Sequence, residues 1–138
     1  MRTTLLTLMV MLPTAGVLNA AWCGSALAAF ARAVPRIAST ADLELFKRVV
    51  AHQMYAALVQ LVLLGLPPLM YMAGVFTDVL KPGDVVFILV PSAVIFIVAQ
   101  LFKPLESRVK SIPTANDELR RQRDAVVRTW VKKPLPDW

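Results

Sequence analysis

Two long apolar runs, residues 49–66 and 85–102, constrain this chain more than any other feature, and the second follows directly on a short charged turn at 77–84. Neither run contains a formally charged residue. At about 1.5 Å of rise per residue, eighteen helical residues span roughly 27 Å, close to the hydrocarbon thickness of a bilayer. A soluble helix this apolar belongs at the centre of a large core. A chain of 138 residues with a mean hydropathy of +0.61 has too little other sequence to cover two of them. The expected fold class is therefore an all-α integral membrane protein. It has three spans, at about residues 5–31, 49–76 and 85–102, in a membrane domain of residues 1–104, followed by a basic amphipathic cytoplasmic tail at 105–138.

The N-terminal run, residues 5–31, can be read as a secretory leader or as a retained helix. Arg2 and the small residues Ala26-Leu27-Ala28 suit a leader, but the apolar part is about twice the usual 7–15 residues, so a retained helix is preferred. Ala20-Ala21-Trp22 ahead of Cys23 puts an indole where a lipoprotein signal needs a small residue. Within this helix Gly16, Ala20, Gly24 and Ala28 recur at every fourth position and form a narrow stripe. Such a stripe lets helices approach closely in lipid, where apolar burial does not drive association. The simplest use is packing on the chain's own other helices; contact with a second copy or another subunit is the alternative. Asn19 beside the stripe, and Gln53, Gln60 and Gln100 in the other spans, are amides that need interhelical hydrogen bonds, and Asn19 or Gln100 is the expected partner of Gln60.

Ser39 and Asp42 have capping-box spacing, so the second helix is expected to start in water and enter the bilayer near Val49. Periodicity places His52, Gln53 and Gln60 on one broad inward face. His52, the one histidine, invites a haem or proton-relay role, but no second ligand and no deep carboxylate accompanies it, so an interfacial or interhelical hydrogen bond is the simpler reading. Pro67-Pro68 should kink or break this helix, and Lys103-Pro104 should close the third span. In the tail, Thr114 or Asn116 can cap a last helix that Pro134 ends. Its apolar stripe, Leu119, Val126, Val127 and Trp130, opposes Arg120, Arg121, Arg128 and Lys132. That pattern suits the inner leaflet or a docking contact with another subunit, anchored by Trp130 and clasped by residues 134–138, ending in Trp138.

Arg32, Arg36, Lys47 and Arg48 flank the first loop, and Lys103, Arg108, Lys110 and the tail follow the last span, so both belong on the cytoplasmic side, with the N-terminus outside. Arg2 argues weakly the other way. The net charge of +6 is thus accounted for by topology, and no nucleic-acid partner is expected. One cysteine supports neither an internal disulfide nor a cysteine metal cluster. No catalytic residue, cofactor or metal site is expected, because the apolar runs offer only Cys23, His52 and scattered hydroxyls on different spans. The leading expectation is a small non-catalytic accessory or assembly subunit of a larger inner-membrane complex, with the lipid bilayer and other membrane subunits as partners. The alternative is a homo-oligomeric channel or small transporter lined by Gln53, Gln60 and the Pro67-Pro68 break.

Overall fold

The computed structural model describes all 138 residues, as four α-helices and no strand: α1 (Arg2–Ala33), α2 (Thr40–Phe76), α3 (Val86–Lys110) and α4 (Asp117–Lys132), with a 3-10 turn at Pro82–Val85. The first two helices, and the third together with the 3-10 turn ahead of it, are long and apolar enough to cross a membrane. Few residues of their apolar stretches are buried within the chain. Leu61, Val62, Leu69, Phe96 and Leu101 all face outward.

The chain forms two compact units, and α1, α2 and α3 each contribute to both. The first comprises Met1–Ala21 with Val59–Leu101. Its small core is Met9, Leu80 and Ile88, with Leu5, Leu6, Tyr71 and Val75 against it. The turn that joins α2 to α3 is built from backbone rules. Val79 N–H donates to Gly74 C=O and Asp78 N–H to Val75 C=O, the paired bonds of a Schellman motif. Asp78 stands at the left-handed position, with φ 55°. Gly74 is required there because a Cβ would come within 2.5 Å of the Leu80 side chain that folds back over it. Neither Pro67-Pro68 nor Pro104 ends its helix: α2 runs on to Phe76 and α3 to Lys110. Each proline removes one donor, so the carbonyls of Leu63, Leu64 and Gln100 lose their helical partners while the flanking turns persist.

The second unit comprises Trp22–Leu58 with Phe102–Trp138. Its core gathers Leu27, Phe30 and Val34 of the first helix and its exit, Leu43, Phe46, Val50 and Met54 of α2, Val109 and Ile112, and Leu119 and Val126 of α4. The tail at 105–138 therefore shares a core with the α1–α2 connection. A parallel bridge reinforces this. Ile37 N–H donates to Pro113 C=O at 2.9 Å and Ala115 N–H to Ile37 C=O at 2.9 Å, with the Ile37 side chain fully buried.

Both capped helices start as side-chain chemistry requires. Asp42 Oδ2 accepts from the Ala38 and Ser39 N–H groups at 3.0 Å each, and Asp42 N–H donates to Ser39 Oγ. These bonds, the Ala38 N–H foremost, hold the Asp42 carboxyl below the usual carboxylate range. Asn116, rather than Thr114, caps α4 by accepting from Leu119 N–H at 2.8 Å.

Candidate functional site

The stripe on α1 is filled by the chain's own side chains. A Cβ on Gly16 would lie 2.8 Å from Gln60 Nε2 and 3.0 Å from Ile95 Cδ1, and one on Gly24 would lie 2.4 Å from three atoms of the Phe102 ring. Absence of a side chain at these two positions is what admits an amide and a phenyl ring. Ala20 and Ala28 are half-buried.

The amides pair by what each can reach. Asn19 Nδ2 donates to Gln60 Oε1 at 2.9 Å, joining α1 to α2 within the first unit. Gln60 Nε2 is buried over Gly16 without an acceptor. Gln53 Nε2 donates to the Cys23 carbonyl at 2.8 Å. Gln100 does not join them and is exposed on α3. His52 departs from the face inferred for it: Phe46, Val50 and Met54 mark the inward line of α2, Gln53 is half-buried, and His52 is exposed alongside Arg48, Tyr55 and Val59. About 100° separates successive helical residues, so the broad face drawn through 52 and 53 splits between them.

The tail's stripe is occupied at home. Leu119 and Val126 are buried in the second unit's core, each worth about 1.5–3 kcal/mol of apolar burial. Trp130 lies half-buried under the Lys110 ammonium, 4.7 Å from the ring centroid. The last residues return to α4: Asp137 accepts from Lys133 Nζ and from Thr129 Oγ1, bonds that lower its pKa, the lysine bond most. Trp138 lies beside them, with Gln122 and Lys47, on the rim of a shallow cavity. Arg121, Arg128 and Lys132 face outward without ion pairs, and Arg120 reaches Asp117 at 3.8 Å.

Two polar contacts had no sequence signal beyond charge. Arg2 grips Asp84 through Nε and Nη2, at 2.9–3.4 Å, and Asp84 also accepts from Lys81 N–H at 2.9 Å. The Lys81 amide first, and then the guanidinium, hold the Asp84 carboxyl below its ordinary range. Arg123 donates to the Ile112 carbonyl and to Asp124, tying α4 to the segment that follows α3. Spacing arguments reach neighbours along one helix, and both arginines bond across the sequence or to a loop carbonyl.

No protein-family model matches the chain, and no curated protein or solved structure is significantly similar to it.

Proposed function

We propose that this chain is a small accessory or assembly subunit of a larger inner-membrane complex, with the N-terminus outside and the tail in the cytoplasm. One observation carries the reading. The small residues and amides that could have served a partner on α1 are used within the chain, whereas His52 and Tyr55 on α2, and Gln100 on α3, stand exposed on apolar helices. Hydrogen-bonding side chains facing hydrocarbon are stabilised by partners on neighbouring helices, and His52 and Tyr55, three positions apart, share one outward face. The orientation rests on charge. Arg2, the residue that opposes it, is paired with Asp84, whereas the basic residues of 32–48 and 103–133 lie on the side assigned to the cytoplasm.

The channel reading has no comparable support, since Gln53 and Gln60, its proposed lining, are engaged by Cys23 and Asn19. The test is purification in mild detergent through a small N-terminal tag on a flexible linker, with mass spectrometry of the intact particle. Stoichiometric partner proteins that are lost in a His52→Leu/Tyr55→Leu variant support the reading. A particle made only of this chain refutes it.

A further inference from the structure

The cations of this protein are unevenly satisfied. Arg2, Lys47, Lys110, Arg120, Arg123 and Lys133 have ion-pair partners, whereas Arg32, Arg36, Arg48, Lys81, Lys103, Arg108, Arg121, Arg128 and Lys132 have none, and all of these except Lys81 belong to the second unit. One of them stands in the wall of a cavity. Ala31, Val34, Pro35, Val109, Ile112 and Pro113 form with Arg108 a recess of about 280 Å³. Its floor is fixed, because Val34, Val109 and Ile112 are core residues and the Ile37–Thr114 bridge pins the two segments that supply it. The Arg108 side chain makes no hydrogen bond or ion pair within the chain. Arg32 and Arg36 are the sequence neighbours of Ala31 and Pro35 at its edge. Arg32 Nε is turned to its own helix, and Arg36 makes one long bond, 3.5 Å, to the Ala115 carbonyl.

We propose that this recess binds one anionic phospholipid, its phosphodiester on the Arg108 guanidinium and the upper part of an acyl chain against Ala31 and Pro35. A guanidinium presents a planar fork of donors that matches phosphate oxygens. Basic pockets between helix ends are where anionic head groups are held. The volume suits a head group and its first methylenes rather than a whole lipid. Ala31 and Pro35 supply accessible apolar surface above the buried Val34, Val109 and Ile112, a contact that a lipid gains and free phosphate does not. The site is a property of one chain and stands or falls independently of whether partner subunits co-purify.

The experiment is native mass spectrometry of the full chain in detergent, titrated with phosphatidylglycerol or with phosphatidylcholine of the same acyl composition. One saturable phosphatidylglycerol is expected, with phosphatidylcholine retained at least tenfold more weakly. Arg108→Gln, at an exposed position without internal bonds, should weaken phosphatidylglycerol at least tenfold, and Arg128→Gln should leave it unchanged. Ala31→Phe, which fills the recess and keeps the charge, should also weaken it. Equal retention of both lipids, unchanged binding in Arg108→Gln, or displacement of the lipid by millimolar inorganic phosphate would overturn the proposal.

Discussion

Gly24→Leu should destabilise the folded chain, and the loss should disappear when Phe102 is shortened. The Cβ built on Gly24 falls 2.4 Å from Cε1, Cε2 and Cζ of Phe102, whereas carbon atoms at ordinary contact sit about 3.5–4.0 Å apart. The ring must therefore retreat by more than about 1 Å for the first carbon alone, and further for a whole isobutyl group. Overpacking of this kind costs about 1–3 kcal/mol. Phe102→Ala by itself loses the ring's contacts. In the double variant the leucine occupies the space the ring has left, so the two effects should fall short of their sum by about 1 kcal/mol or more. The assay is equilibrium unfolding in mixed micelles, followed by tryptophan fluorescence, for the four members of the cycle. Effects that add to within about 0.5 kcal/mol would mean that ring and glycine do not meet, and the account of the α1 stripe would be refuted.

Substitutions at three other positions test separate parts of the structure. Asp78→Gly should stabilise the protein by about 0.5–1 kcal/mol in the same unfolding assay, since glycine adopts the left-handed conformation without cost, and Asp78→Val should destabilise it by about 1–2 kcal/mol. Asn19→Leu should cost about 0.5–2 kcal/mol through loss of the bond to Gln60, and a cost below that range would make the pair incidental. Asp84 has a folded-state pKa below its unfolded value, so its contribution is present above about pH 4 and is lost as pH falls through the lower folded value. The unfolding midpoint should drop on acidification from pH 7 to pH 3, and Asp84→Asn should narrow that drop; an unchanged drop would show that the carboxylate is not coupled to folding.

The three long apolar helices were legible because a continuous apolar run about as long as a bilayer core is thick has few alternatives. The capping residues Ser39, Asp42 and Asn116 were legible for a related reason: a cap is a local bond, and its spacing is written within four residues. Positions that depend on distant partners were not. The expectation that α2 turns His52 inward failed by about 100° of rotation, because the direction of the core is set by Phe30 and Val109, which lie on other helices. The tail's stripe was readable as apolar, but sequence alone did not show that its cover is the core of the second unit. The grip of Arg2 on Asp84 spans 82 positions, a separation at which periodicity carries no information.

The bridge between Ile37 and Thr114 binds two connections into a single opening event. The amide hydrogens of Ile37 and Ala115 each point at a carbonyl on the opposite connection, so neither can reach solvent while the two remain joined. Hydrogen exchange at these two sites should therefore proceed at matched rates, and a ligand that steadies α4 should slow both. Residues 34–39 would then report events on the tail, although about eighty positions of chain separate the two amides.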